Sequence, residues 1–238
     1  MQPIVRVLNL GRMSWKKAFQ IQCEAKENIL NQLKSSSKES FASLDNRLFL
    51  VEHDPVYTIG IRRKPYENKA LIDRLRSLGA DFEETDRGGL ITFHGPGQLT
   101  VYPILYLGSF FNDRSLRCYV HRLEQVVINA CAEILPKELK ISTIEELPGV
   151  WINEHRKIAA IGVHGNRFVT THGVAINCNN DLIWFNHIIP CGIEDKEVTS
   201  ISKELNIDYN INNFIPIFLE RFEKTFDCQI QTSDFVDN

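Results

Sequence analysis

The segment 149–177, GVWINEHRKIAAIGVHGNRFVTTHGVAIN, holds three apolar runs of strand length that are separated by turn-forming residues. Short runs rich in valine and isoleucine, divided in this way, are typical of neighbouring antiparallel strands. The segment therefore predicts an antiparallel meander, and the rest of the chain has to cover the faces of that sheet.

Outward from the meander, strands and helices do not alternate in a regular βαβ rhythm. Apolar runs predict strands at 5–10, 46–52 and twice within 91–107, where HGPGQ interrupts the run. Helical spacing of apolar residues predicts helices after Ser14 and at 70–78, 116–135 and 213–226. The expectation is one α+β domain over 1–238, with a mixed, mostly antiparallel sheet and helices packed on it.

Composition excludes several classes of protein. A net charge of −3, with 43% hydrophobic and 24% charged residues, is typical of a soluble globular protein and not of a nucleic-acid binder. No apolar run approaches the roughly 20 residues of a membrane span, and the opening residues lack the apolar core of a secretory signal. Six cysteines without a CxxC pair indicate reduced thiols in an intracellular compartment.

The stretch 87–98 is the densest in glycine. Gly88 and Gly89 follow Arg87, and HGPGQ begins at His94. Open backbone amides there are suited to a carbonyl oxygen or a phosphate, with the Arg87 guanidinium as a cationic fork. The alternative is a Gly-Pro turn between strands with a structurally hydrogen-bonded histidine. No phosphate-binding P-loop or dinucleotide fingerprint is present.

Cys191 stands between Pro190 and Gly192, a setting typical of a rigid, exposed turn. Cys118 and Cys131 lie in a predicted helix and are expected to be small buried hydrophobes. A nucleophilic thiol needs a nearby cation, because the pKa of free cysteine is about 8.5. Lys157, at the entrance of an apolar strand, is a candidate, although a solvated flank explains its position as well.

Histidines in the same region offer a further set of candidates. His164 and His172 are candidate bases or ligands, but structural roles in tight strands are the more common case. Together with Cys191 and His94 they offer enough ligands for a zinc site, but no HExxH or CxxC spacing supports one. We therefore expect no metal and no cofactor.

Four segments in order resemble the octanoyltransferases of lipoic acid synthesis: RGGLITFHGPGQL, GVWINEHRKIAAIGV, THGVAINCNNDLIWF and IIPCGI. The resemblance extends from VRVLNLG to the last helix. The phrases VTSISKEL and LIWFNHIIPCG are most similar to the animal mitochondrial members. This resemblance implies a mitochondrial location, with a cytoplasmic one if the source is bacterial, and a fold like that of the biotin and lipoate protein ligase catalytic domains.

The resemblance also implies a reaction and its residues. Octanoyl moves from octanoyl-acyl carrier protein to a lysine of a lipoyl domain of a 2-oxoacid dehydrogenase complex or of glycine cleavage H protein, the first step of endogenous protein lipoylation. Cys191 corresponds to the nucleophile that forms the acyl thioester. Lys157 corresponds to its partner, which lowers the thiol pKa and accepts a proton. The residues that correspond to the acyl-binding segments are Arg87, Gly88, Gly89, Leu90, Ile91, Thr92, Phe93, His94, Ala160, Ile161, Gly162, Gly173, Val174 and Ala175. Amides near 87–94 or at a Gly162 turn are the expected oxyanion donors.

Three other functions stay open at this point. They are an ATP-dependent lipoate protein ligase, a lipoate amidotransferase on the same fold, and an inactive acyl- or carrier-binding module. The basic cluster Arg62-Arg63-Lys64 is a candidate dock for an acidic carrier protein, or simply a solvated loop.

Overall fold

The computed structural model describes residues 2–35, 41, 43–66, 68–188 and 196–232. Its strands are β1 (Ile4–Met13), β2 (Asn46–His53), β3 (Val56–Ile59), β4 (Asp81–Glu84), β5 (Ile91–His94), β6 (Gln98–Ile104), β7 (Ile141–Ile144), β8 (Leu147–Ile152), β9 (Arg156–Asn166), β10 (Val169–Asn177), β11 (Glu197–Val198) and β12 (Gln229–Thr232). Its α-helices are α1 (Trp15–Ser35), α2 (Lys69–Ser77), α3 (Leu116–Ile134), α4 (Ile201–Leu205) and α5 (Ile211–Phe226). None of the helices described is both long and apolar enough to cross a membrane.

The main sheet has the strand order β12-β1-β2-β6-β10-β9-β8-β7, and β11 pairs in parallel with the first two residues of β9. Strands β8 to β10 form the predicted three-stranded meander, and β7 extends it by one strand; every neighbouring pair from β7 to β10 is antiparallel. The parallel pairs β1–β2 and β1–β12 complete a mixed, mostly antiparallel sheet. The predicted fold class is confirmed, and β3, β4, β7, β11 and β12 are additions to the predicted strands.

One face of the main sheet packs against α3 and α5. Side chains alternate along a strand, so Val174 and Ile176 of β10 point to this face. Helix α5 presents phenylalanines at every fourth position, which places them on one stripe of the helix. That stripe consists of Phe214, Phe218, Phe222 and Phe226, and each of these side chains is at most 2% exposed. The face is a conventional apolar core.

The opposite face is covered by two separate units. Helix α1 lies over β2, β6 and β10 through residues such as Ala18 and Ile29. Beside it, a small sheet of order β4-β3-β5 carries α2 and has its own core around Tyr57, Phe82 and Phe93. This second sheet was absent from the sequence prediction, which had one sheet only.

The HGPGQ turn joins the two sheets. It follows β5 of the small sheet and leads directly into β6 of the main sheet, so the two strands that it separates do not pair with each other. Gly97 has φ +81°, and a Cβ there would lie 2.6 Å from the Asn180 backbone nitrogen. The turn therefore requires glycine, and it places the end of β5 over the face of the main sheet.

Candidate active site

A cavity lies between the main sheet and the small sheet with its connecting loop. The residues that line it are Trp15, Arg87, Gly89, Leu90, Ile91, Thr92, His94, Thr100, Tyr102, Pro148, Lys157, Ala160, Ile161, Gly162, His172, Gly173, Val174 and Ala175. It extends along β9, with Lys157 towards one end and Trp15 and His172 towards the other. Val163 is the strand partner of His172 and lies six residues after Lys157 in β9. Six residues of a strand span about 20 Å.

The floor of the cavity is made of very small residues. Gly162 pairs with Gly173, and Ala160 pairs with Ala175, across β9 and β10. A Cβ on Gly173 would lie 2.1 Å from the Val101 carbonyl oxygen, and one on Gly162 would lie 3.0 Å from Cδ of Arg87. Glycine at position 162 allows the Arg87 loop to approach the sheet, and glycine at position 173 allows β10 to lie close to β6. Gly162 lies within β9, so the expected Gly162 turn does not exist and its backbone belongs to the strand ladder.

Arg87 holds the roof of the cavity together. Its Nη2 donates to the Thr58 carbonyl at 2.7 Å and to Thr58 Oγ1 at 2.9 Å, and its Nη1 donates to the Gly88 carbonyl at 3.0 Å. The Gly88 amide donates to the Val163 carbonyl at 3.0 Å and ties the loop to β9. The Arg87 residue is 7% exposed, and its guanidinium bonds to the protein's own carbonyl and hydroxyl oxygens. Arg87 therefore shapes the loop, and the structure does not present it as the expected cationic fork for a ligand.

His94 belongs to a directed chain of hydrogen bonds. The Gln98 amide nitrogen donates to the Phe93 carbonyl and to Asn177 Oδ1, so Gln98 Oε1 is an acceptor, at 2.7 Å from His94 Nδ1. His94 Nδ1 must therefore carry the proton, and Nε2 accepts from Thr58 Oγ1 at 3.3 Å. Burial lowers the pKa of His94 to about 3, with a further contribution from the neighbouring His53. The ring is neutral and structural, as the Gly-Pro turn alternative predicted.

His172 is held in an unusual backbone conformation for a histidine, with φ +58°. Its ring stacks on Phe19 at a centroid distance of 5.3 Å, and Nε2 donates to Asp86 Oδ1 at 2.6 Å. Burial lowers the pKa of His172 although Asp86 opposes the shift, and the bond from His172 lowers the pKa of Asp86 to about 2. The hydrogen bond from the neutral His172 ring to the ionised Asp86 carboxylate thus fixes the loop that precedes Arg87 against β10.

Trp15 and Tyr102 close the end of the cavity next to His172. Trp15 stacks on Phe19 at 4.8 Å, and both Trp15 and Tyr102 are at most 5% exposed. The Tyr102 hydroxyl donates to His53 Nε2 at 2.7 Å, because His53 Nδ1 donates to the Met13 carbonyl. Burial lowers the pKa of His53 to about 4, so this ring is neutral too.

Lys157 lies near the other end of the cavity and is 6% exposed. Its Nζ donates to the Pro148 carbonyl at 3.3 Å and lies 4.5 Å from the centroid of the Trp151 ring. Val198 of β11 is its partner in the parallel pair with β9. Lys157 is therefore an ordered, buried cation, and a solvated flank is excluded.

The structure brings most of the sequence-predicted binding residues to this cavity. Gly88 and Phe93 are not among the lining residues, since Phe93 stacks on Trp184 at 4.9 Å in the small-sheet core. Cys191 lies outside the described residues. The prediction for Cys131 is confirmed because its side chain is buried, whereas that for Cys118 is wrong: it lies in the first turn of α3 and is exposed.

Several of the residues that line the cavity were not predicted from the sequence. Trp15 was assigned only to the apolar side of α1, and Thr100, Tyr102 and Pro148 carried no signal beyond strand and turn propensity. The basic cluster at 62–64 lies beside the small sheet, where Arg63 pairs with Glu84 and Arg62 is exposed. The cluster is therefore compatible both with a dock for an acidic carrier protein and with a solvated loop.

A protein-family model described as the lipoyl protein ligase A/B catalytic domain matches residues 20–223. The chain belongs to this family. A protein of Danio rerio named mitochondrial octanoyl-acyl-carrier-protein:protein N-octanoyltransferase is 48% identical over 95% of this chain and 94% of its own length. A human protein of the same name is 37% identical over 98% of both chains. The predicted octanoyltransferase activity, and with it the acyltransferase class, is confirmed by these relatives.

Solved structures establish the fold independently. A lipoate protein ligase from Thermoplasma acidophilum, solved in a study of an archaeal lipoylation system, has a TM-score of 0.65 at 14% identity and covers 98% of this chain and 87% of its own. Lipoate-protein ligase A bound with ATP has a TM-score of 0.67 at 13% identity, covering 98% of this chain and 89% of that one. At such low identity the likeness concerns the fold alone.

Proposed function

We propose that this enzyme moves an octanoyl group from octanoyl-acyl carrier protein to a lysine of a lipoyl domain or an H protein, through a thioester on Cys191. The single observation that carries the proposal is Lys157, a buried cation at one end of a cavity floored by glycine and alanine. A cation in that position suits a thiolate nucleophile, and a narrow apolar floor suits an acyl chain. No metal or cofactor takes part in the proposed reaction.

In the first step the Cys191 thiolate attacks the carbonyl carbon of the carrier thioester. The new carbon–sulfur bond replaces the bond to the carrier, whose thiolate leaves and takes up a proton. The pairing of Cys191 with Lys157 is supported by the described residues that flank 189–195. Ile188 and Val198 both pack in the small-sheet core, and Val198 is also the strand partner of Lys157. A thiol pKa lowered by two units corresponds to about 2.7 kcal/mol of thiolate stabilisation.

In the second step the neutral amine of the acceptor lysine attacks the acyl-enzyme. A carbon–nitrogen bond forms, the Cys191 thiolate leaves, and the amine loses a proton to solvent; the Lys157 ammonium, which already carries its proton, stabilises the departing thiolate instead of accepting this one. Conversion of a thioester into an amide is downhill, so this covalent route needs no ATP. The acyl chain lies along Ala160, Gly162, Gly173 and Ala175, beneath Leu90 of the loop and Ile91 of β5.

The nucleophile is tested by intact-mass measurement after incubation with octanoyl-acyl carrier protein. The wild-type chain is expected to gain one octanoyl group, and peptide mapping should place it on Cys191. Cys118→Ala removes an exposed thiol and is the matched control, so it should acylate normally. An octanoyl adduct that persists in Cys191→Ala would overturn the assignment.

The role of Lys157 is tested by thiol labelling with iodoacetamide near neutral pH. Lys157→Ala is expected to slow the alkylation of Cys191 by about tenfold or more, because a thiolate without its cation protonates. Alkylation of the exposed Cys118 in the same sample gives the internal reference. An unchanged ratio of the two rates would remove the electrostatic role of Lys157.

An ATP-dependent lipoate ligase shares the fold and is separated from the proposal by one measurement. Octanoyl transfer from the carrier to a lipoyl domain should proceed in buffer without nucleotide. Transfer of free octanoate that requires ATP, with no turnover of octanoyl carrier protein, would favour the ligase.

The proposed location is the mitochondrion, since the Danio rerio and human relatives are named mitochondrial proteins. Imaging of the full chain fused at its carboxyl end to a fluorescent protein tests this expectation. A diffuse cytoplasmic signal would contradict it.

A further inference from the structure

One peptide unit lies between Lys157 and a buried carboxylate that the proposed reaction does not use. The carbonyl of Pro148 accepts a hydrogen bond from Lys157 Nζ at 3.3 Å. The amide of Gly149, in the same peptide plane, donates to Glu124 Oε1 at 3.1 Å. Cation, peptide group and carboxylate thus form one line that runs from the cavity to helix α3.

The geometry of this peptide unit depends on Gly149. Its φ is +129°, a region that favours glycine, and a Cβ would lie 2.5 Å from the Ala159 carbonyl oxygen. The same position of a Cβ would be 3.4 Å from Cε of Lys157, so Gly149 lies directly against the lysine side chain. Any rotation of the peptide plane would therefore move the carbonyl that holds Nζ.

Glu124 is placed firmly enough to fix that plane. Its side chain is 10% exposed and comes from α3, where the neighbouring Leu123 and Val127 are fully buried. The titratable groups that face it are His121, whose Nδ1 lies 3.8 Å from Oε2, and Lys157 on the far side of the peptide. A hydrogen bond from an amide to a carboxylate is stronger than one between neutral groups, and a dipole aligned between opposite charges is held at both ends.

We infer that Glu124 is a positioning residue: through the Gly149 amide it orients the Pro148 carbonyl, which holds the Lys157 ammonium at the end of the acyl cavity. This inference rests on the proposed role of Lys157 in the transfer reaction. Burial raises the pKa of Glu124, whereas the bond from Gly149 is the strongest opposing influence, which agrees with a carboxylate that acts through this amide.

Two variants at Glu124 separate positioning from general packing. Glu124→Leu removes the acceptor for the Gly149 amide, and octanoyl transfer is expected to lose about 10- to 100-fold in kcat with KM for the carrier within about twofold. Glu124→Gln keeps an oxygen acceptor at the same reach and should recover activity to within about threefold of wild type. His121→Ala removes only the exposed neighbour of Glu124 and should match wild type.

A second readout follows Lys157 itself. Succinimidyl acetate modifies amines, and mass spectrometry gives the rate at Lys157 relative to Lys16, whose side chain is 74% exposed. Release of Nζ from the Pro148 carbonyl should raise this ratio at least about threefold in Glu124→Leu and leave it near the wild-type value in Glu124→Gln. Full activity of Glu124→Leu, or a ratio that does not change, would overturn the inference, as would a Glu124→Gln variant as impaired as Glu124→Leu.

The two proposals fail in different ways. A wild-type chain that does not transfer octanoyl, or a fully active Lys157→Ala variant, refutes the proposed function. In that case the amine-labelling ratio still measures whether Glu124 keeps the Lys157 ammonium bound to the Pro148 carbonyl. An inactive Lys157→Ala together with a normal Glu124→Leu refutes the inference alone.

Discussion

The two faces of the main sheet are built from the same strands but from different chemistry. On the α3 and α5 face, β10 contributes Val174 and Ile176 to a continuous apolar cluster. On the opposite face, residues of the same strand, Gly173 and Ala175, floor the cavity, and Asn177 bonds to Gln98. The first face is a continuous apolar core that stabilises the fold, whereas the second carries the small residues and the buried, hydrogen-bonded polar groups that form the site.

Among substitutions that test the difference between the two faces, the largest effect on stability is expected on the α3 and α5 face. Phe222→Ala removes a fully buried ring that stacks on Phe226, and the free energy of unfolding should fall by about 3–5 kcal/mol. The kcat of the remaining folded enzyme should not change. Urea denaturation and initial rates check both, with the half-exposed Phe168→Ala as a control expected to stay within about 0.5 kcal/mol.

A substitution on the site face should damage stability and activity together. Gly173→Ala places a methyl group 2.1 Å from the Val101 carbonyl oxygen, so β10 has to move away from β6. The expected loss is about 3 kcal/mol, with octanoyl transfer abolished because the cavity floor shifts. Gly165→Ala in the same hairpin meets only Leu116 at 3.5 Å and should leave both properties intact. Equal behaviour of the two variants would contradict the role of Gly173.

The polar face should also make the fold sensitive to acid. Folding lowers the pKa of His53 to about 4 and that of His94 to about 3, from 6.5, so the unfolded chain binds more protons than the native one below pH 6.5. Stability is therefore fully present above pH 6.5 and declines as the pH falls, by about 2 kcal/mol per histidine at pH 5.

Urea titrations at pH 7 and pH 5 measure this loss. His53→Gln should remove one histidine's share of the pH dependence, although it lowers stability at pH 7 through the lost bonds to Tyr102 and Met13. His155→Gln, at a half-exposed ring, should keep the wild-type difference between the two pH values. The apolar face adds no acid sensitivity, because burial raises the pKa of its thiols, that of Cys131 to about 12.

The smallest expected effect concerns the closed end of the cavity. Trp15→Leu shortens the wall next to Tyr102 and His172, so the ratio of decanoyl to octanoyl transfer should rise by about tenfold. Phe19→Leu alters a ring that stacks behind Trp15 but does not line the cavity, and it should leave the ratio near wild type. Rates measured with carriers of six to twelve carbons decide the point, and an identical shift in both variants would argue for a general loosening of α1.

Prediction from the sequence worked where a feature depends on residues that are close together in the chain. The meander, α3 and α5 follow from apolar periodicity, and the glycines around Arg87 indicate close backbone approach. It was weaker where partners are distant: β5 and β6, eight residues apart in the middle, belong to different sheets. His172 could not be placed from spacing, because its ring depends on Phe19 and Asp86, which are remote in the chain.

By itself, the sequence determined the meander and the long helices α3 and α5, since apolar periodicity is a property of neighbouring positions, and its resemblance to a family indicated the residues of the cavity floor. Only the tertiary structure decided which face of the sheet holds the site, that Arg87 and His94 are structural, and that Glu124 reaches Lys157 through the Pro148–Gly149 peptide. Those outcomes depend on the orientation of hydrogen-bonding groups from segments far apart in the chain, and a hydrogen bond exists only when both partners are brought to one place at one angle.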